Sequence, residues 1–182
     1  MNARSLAVLL LSAVPSLFPP TASAQPPSPE RQIEALKKVD LWVGTWKGSG
    51  WSMSAGGERA ELTLTETVTR KCGGTVLFAE GRATRPDASG AEVVTHDGIG
   101  MLFYDDETHR YRWHGHDLPW GAVDGDAELV DGGFRWSFKS PRGHYLRFTI
   151  VVDATQWHEM GEIGTDGRAW TRFMEMTLTR QR

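Results

Sequence analysis

The chain has 182 residues, 40% of them hydrophobic and 24% charged, and a formal net charge of −3. This balance fits one ordinary folded domain and excludes a collagen, a low-complexity polymer, a disordered acidic tail and a basic nucleic-acid binder. With 20 glycines, 8 tryptophans and few helix-length runs, it points to an all-β chain with many turns.

Residues 1–24 read as an export leader. Arg4 gives a positive start, Leu6 to Leu11 begins a short apolar run, and Ala22, Ser23 and Ala24 form a small-residue cleavage pattern before Gln25. Pro15, Pro19 and Pro20 break the apolar stretch well short of the ~20 residues that a membrane span needs. The expectation is a periplasmic or secreted protein, cleaved near Ala24 and without a membrane span. Cys72 is the sole cysteine, so no intramolecular disulfide can form.

Residues 25–40 read as a leader stretch and a short helix. Ser28 can cap a helix whose first position is Pro29, and Ile33, Leu36 and Val39 recur at helical spacing, which predicts a helix over 29–39 that covers one end of the fold. From Trp42 the apolar period becomes two. Leu62, Leu64 and Val68 alternate with threonines; Phe134, Trp136 and Phe138 alternate with Arg135, Ser137 and Lys139; Leu146, Phe148, Ile150 and Val152 follow the same pattern. Turn chemistry at Gly56-Gly57, Gly73-Gly74, Asp87 to Gly90 and similar sites predicts ten strands: 42–53, 61–71, 75–85, 92–104, 109–116, 120–130, 134–140, 144–152, 157–164 and 169–180.

Every connection is too short for a parallel crossover, so the strands must be antiparallel neighbours. A meander with one apolar face closes naturally into an up-and-down barrel, and ten strands leave an interior cavity. The domain organisation is therefore a leader over 1–24, a stretch and helix over 25–40, and a barrel over 41–182.

Gly44-Thr45-Trp46 resembles the opening strand of the calycin superfamily, which includes lipocalins, fatty-acid-binding proteins and nitrobindins. The resemblance implies that Gly44, Trp46 and Arg180 form the barrel closure, the Trp46 ring packing on the terminal arginine. The hairpin Trp157-His158-Glu159-Met160-Gly161-Glu162 with Phe173-Met174-Glu175-Met176 is similar to that of bacterial lipocalin-like families of unknown function. In the nitrobindin branch a last-strand histidine, seven positions before the closing basic residue, ligates haem. Phe173 stands there, with His158 the nearest substitute, so no cofactor is expected.

The candidate site follows from strand phase. Trp46, Trp113, Trp136, Trp157 and Trp170 fall in the phases assigned to the interior, Glu66 keeps phase with Leu64 and Val68, and Glu80 with Val76 and Phe78. Glu159 keeps phase with Trp157, and Arg172 with Trp170 and Met174. The expected cavity wall is Trp113, Trp136, Trp157, Met174 and Met176, with Glu66, Glu80, Glu159 and Arg172 as polar anchors. Buried carboxylates pair, protonate or meet water or ligand, so these acids could equally form a structural network with Arg172.

His114 and His116 share a strand face, as a metal pair would, but Tyr111 and Trp113 claim the inward phase. The histidines, with Arg110 and Arg112, are therefore expected outside. His96 lies near Gly98 and Gly100, whose tendency to bulge leaves its direction open. No nucleophile, base and orienter recur at a recognisable spacing. The reading is a barrel that binds a small, partly apolar molecule without catalysis. The alternatives are an enzyme using an interior Glu as general base, a haem-binding nitrobindin-like protein, and a filled structural or partner-binding barrel.

Overall fold

The computed structural model describes residues 27–182 except 55, 119 and 120, so the leader expected over 1–24 lies outside the described residues. Helix α1 (Pro29–Leu36) starts where Ser28 caps it: the hydroxyl accepts the Arg31 amide at 3.4 Å, and proline occupies the first turn. The helix does not run on to 39 as an α-helix. Lys37–Trp42 tightens into a 3₁₀ segment, with Val39 out of helical geometry. A three-residue repeat aligns Leu36, Val39 and Trp42, and all three are buried in the core.

The strands are β1 (Gly44–Met53), β2 (Arg59–Lys71), β3 (Val76–Pro86), β4 (Glu92–Asp105), β5 (Arg110–Leu118), β6 (Gly121–Val130), β7 (Gly133–Lys139), β8 (Tyr145–Val152), β9 (Gln156–Gly164) and β10 (Thr171–Arg180). Each pairs antiparallel with its chain neighbours, and β1 pairs with β10 from Trp46↔Arg180 to Ser52↔Met174, which closes the barrel. This is the ten-stranded antiparallel barrel with a short N-terminal helix that the periodicity predicts.

The helix and the 3₁₀ segment plug one end. Trp42 packs edge-on to Phe134 at 5.2 Å between centroids and lies 5.1 Å from Trp157, which in turn meets Trp46 at 5.9 Å. The Tyr111 hydroxyl donates to the Ala35 carbonyl at 2.7 Å. Asp106, its side chain only 2% exposed, accepts the Ser28 amide at 2.6 Å and pairs with Arg31 at 3.2 Å. Chain entry, helix and barrel floor are thus tied together before β1 begins.

The seam carries a cluster of its own. The Arg180 guanidinium lies 4.1 Å over the Trp46 ring and donates to the carbonyls of Leu41, Val43 and Ala154. Trp46 is fully buried and its indole N–H donates to the Trp42 carbonyl at 2.8 Å. Gly44 has a φ of +143°, and a Cβ there would stand 2.5 Å from an Arg180 nitrogen, so glycine alone lets the arginine close over the strand.

Two strand phases differ from expectation. In β3 the inward residues are Leu77, Ala79, Gly81 and Ala83, and Glu80 is exposed on the outer face. Val76 and Phe78 share that outer face, where they pair with Phe103 and Met101; both faces of β3 carry apolar residues, and the larger ones lie outside. In β10 a bulge between Arg172 and Met174 resets the alternation. Met174, Met176 and Leu178 point inward, while Arg172 is exposed and pairs with Glu175 at 3.1 Å. Trp170, before the strand, lies against the Arg147 guanidinium at 4.1 Å rather than in the interior.

The seam yields a matched test. Arg180→Met removes a charged donor to three carbonyls and is expected to lower stability by about 2 kcal/mol. Arg59→Met, which takes a cation off the Trp51 ring on an exposed edge, is expected to cost under about 0.5 kcal/mol. Urea denaturation of both variants and the parent measures the difference; equal losses would show that the seam has no special weight.

Candidate ligand-binding cavity

Beyond the aromatic floor the barrel holds a cavity of about 320 Å³. Its apolar wall comes from β5, β7 and β8. Trp113 stacks on Trp136 at 4.8 Å and 19°, Trp136 on Phe148 at 4.3 Å and 13°, and Phe138 continues the set at 11° to Trp136. Phe173 meets Phe148 edge-on at 5.8 Å. Opposite this wall stand Leu62, Leu64, Ala79 and Ala83. Toward the end away from the helix, Ser52, Thr95, His96 and Asp117 make the lining polar.

Room for the stack comes from glycine. A Cβ at Gly100 would lie 2.1 Å from the Trp113 ring, and Gly115 approaches the same indole from its own strand. Likewise a Cβ at Gly81 would stand 2.6 Å from a Glu66 carboxylate oxygen, and one at Gly161 would stand 2.5 Å from Met174. Each missing side chain makes space for a larger one across the ladder.

Besides Asp117 at its polar end, two glutamates border this space. Glu66, opposite Trp46 in β1 and Gly81 in β3, makes no hydrogen bond to any described residue, and its remaining surface faces the cavity. Burial, and then the negative charge of Glu159, hold its carboxyl well above the usual range. Glu159 is 8% exposed and accepts the Trp157 indole N–H at 3.1 Å. Burial pushes its carboxyl up to about 7 despite that bond, which favours the charged form.

Of the residues expected to form the site, Glu66, Trp113, Trp136, Trp157, Glu159, Met174 and Met176 all border this one cavity. Glu80 and Arg172 do not; they face outward for the reasons of phase given above. Phe148, Phe173, Leu62 and the inward glycines also border it and were not among the expected anchors and wall. Glycine at alternate positions within a strand, as at Gly98 and Gly100, was the available signal, obscured because glycine also marks turns.

The histidines divide between two faces. His96, at a bulge that leaves Thr95 unpaired between Ala83 and Thr84, lines the cavity and bonds the Leu118 carbonyl at 3.2 Å. His114 lies edge-on to Phe103 at 5.0 Å and near Asp124 on the outer face, beside Arg112. Phe173 borders the cavity where the resemblance puts a haem-ligating histidine, and His158 bonds Glu175 at 2.9 Å. Neither residue offers iron a nitrogen at that place.

No protein-family model matches the chain, and no curated protein matches it by sequence. Solved structures do match in shape. The crystal structure of Rv2717c from M. tuberculosis matches with a TM-score of 0.59 at 16% identity, over 81% of this chain and 98% of that one. The S-type phycobiliprotein lyase CPES from Guillardia theta matches with a TM-score of 0.53 at 11% identity, over 85% of this chain and 94% of that one. At these identities the likeness is one of fold: the chain has a lipocalin-like, calycin-type barrel.

Proposed function

We propose that the barrel binds a small, partly apolar molecule in this cavity, without chemistry of its own. The observation that carries the reading is the combination of about 320 Å³ of interior space, a stacked aromatic wall and two inward acids, Glu159 buried and Glu66 half-buried. Ligand sites are concave, mostly apolar and fitted with a few placed polar groups, typically at ~300–1,000 Å³. A filled barrel would have closed this volume with side chains, since interiors pack to crystal density.

The residue 1–24 leader belongs to the same reading, which makes the binder an exported protein. Intact-mass measurement of protein from its source is expected to give a chain beginning at Gln25; a retained leader would overturn export by cleavage.

Binding itself is tested with N-phenyl-1-naphthylamine, a neutral apolar dye that brightens on leaving water. The protein is expected to bind it with micromolar affinity, about −8 kcal/mol. Leu62→Trp, which adds bulk to the wall, should weaken binding at least about tenfold, equal to ~1.4 kcal/mol. Absence of binding, or equal binding by a folded Leu62→Trp variant, would overturn the reading.

The acids also set how stability follows pH. A carboxyl raised from 4.5 to about 7 by folding binds more protons in the folded state across that interval. Its stabilising effect is therefore complete below about pH 4.5 and is lost as pH rises through about 7. Glu66, also held well above the usual range by burial and then by Glu159, adds to the decline. Glu159→Gln is expected to flatten the decline between pH 4.5 and 7, a difference of order 3 kcal/mol at pH 8. Thermal unfolding of both proteins from pH 4 to 9 checks the sign.

A further inference from the structure

We propose that the cavity selects a protonated aromatic amine: a one- or two-ring molecule whose positive nitrogen is held by Glu66 and Glu159. This rests on the ligand-binding reading and narrows it to a chemical class.

The charge arrangement is lopsided. Glu66 and Glu159 face the cavity, Asp117 stands at its polar end, and no lysine or arginine is among the described residues that line it. Glu159 has one neutral donor, the Trp157 indole N–H, and Glu66 has none. The one cation that phase reading placed nearby, Arg172, pairs with Glu175, and the outward Arg147 and Arg112 pair with Glu162 and with Asp124 and Asp126. A structural polar network would have joined one of these bases to the acids. Glutamine in either position would supply hydrogen bonds without the expense of a buried acid. Two carboxyls that line one cavity with no cationic partner leave a place for a positive charge, and a ligand can bring it.

The remaining features fix the rest of the molecule. Stacked Trp113, Trp136 and Phe148 supply an apolar wall for rings, and the cavity lies at the small end of ligand sites. An anion would find no lysine or arginine in the lining to pair with, and its charge would keep the two carboxyls from ionising. The net charge of −3 also favours the approach of cations. His96 and His116 are the other titratable basic groups in the lining; they border it on β4 and β5, and His96 bonds the Leu118 carbonyl.

Calorimetry with three ligands of one ring system tests this. 1-Naphthylmethylamine is cationic at neutral pH, 1-naphthalenemethanol neutral and 1-naphthoate anionic. The amine is expected to bind at least about tenfold more tightly than the alcohol, with the acid weakest. Because a protonated carboxyl must ionise to pair with the amine, amine binding should release protons. This appears as a binding heat that changes with the ionisation enthalpy of the buffer. Glu66→Gln and Glu159→Gln should each weaken the amine about tenfold and leave the alcohol within about twofold.

If the alcohol binds as tightly as the amine, charge selection falls while the cavity still binds ligand. If the variants weaken both equally, the acids are scaffold and the proposal falls. Binding of none of the three overturns it as well. Should a variant fail to fold, the amine-to-alcohol ratio and the proton release of the unaltered protein decide.

Discussion

Everything in this molecule depends on the hydrogen-bonded seam between its first and last strands. A ten-stranded antiparallel sheet left open would present two edges and one unprotected apolar face. Pairing β1 with β10 removes both edges and turns the alternation of each strand into a difference between inside and outside. The seam is reinforced at the plugged end, where Arg180 draws the carbonyls of Leu41 and Val43, just ahead of β1, and Ala154, between β8 and β9, onto one guanidinium. Trp46, beneath that guanidinium, joins the closure to Trp157 and, through its indole N–H, to Trp42 of the plug. Sheet closure and end closure are therefore one structure, built from residues at the two extremes of the barrel.

Within a closed barrel, volume becomes the next constraint. Trp113, Trp136 and Phe148 would fill much of the bore if every neighbour also carried a side chain. The strands beside them instead carry glycine at inward positions: a Cβ at Gly100 would overlap the Trp113 ring, and one at Gly115 would crowd the same indole and overlap the Ile99 carbonyl. The same exchange gives Glu66 its place over Gly81 and Met174 its place over Gly161. The aromatic mass is thus pressed against one side, and space remains on the other. Close packing and a cavity coexist because the small residues sit under the large ones rather than being spread evenly.

The sequence made the ten strands legible because their turns are rich in glycine and aspartate and their apolar residues alternate. Glu66 and Glu159 were legible for the same reason: each lies in a strand whose inward neighbours, such as Leu64 and Val68 or Trp157, are large and whose outward ones are mostly polar. β3 defeated that logic. Its inner residues are Leu77 and small alanines and glycine, its outer ones include Val76 and Phe78, and hydrophobicity alone assigns Glu80 to the wrong side. Arg172 was lost to geometry instead. A bulge adds one residue without any composition cue, so counting by twos back from Met176 carries the wrong face past Phe173. The cavity wall was hardest to read where it is made of glycine, since the absence of a side chain leaves no periodic apolar signal.

Arg180 sharpens what is unusual about the two acids. Trp46 is flanked across the ladders by Arg180 on β10 and by Glu66 on β2. The guanidinium nevertheless goes to backbone carbonyls of the closing segment, and no ion pair joins it to Glu66 among the described residues. A base two strands away from Glu66 is thus committed to structure, while Glu66 keeps its carboxyl toward the cavity. Replacing buried ionisable groups with apolar ones of similar size often stabilises a protein. An interior that carries such groups without pairing them departs from the consistency seen elsewhere in this barrel, where outward arginines meet outward acids across neighbouring strands. Departures of that kind concentrate where a protein meets its ligand, and here the departure coincides with the empty side of the barrel.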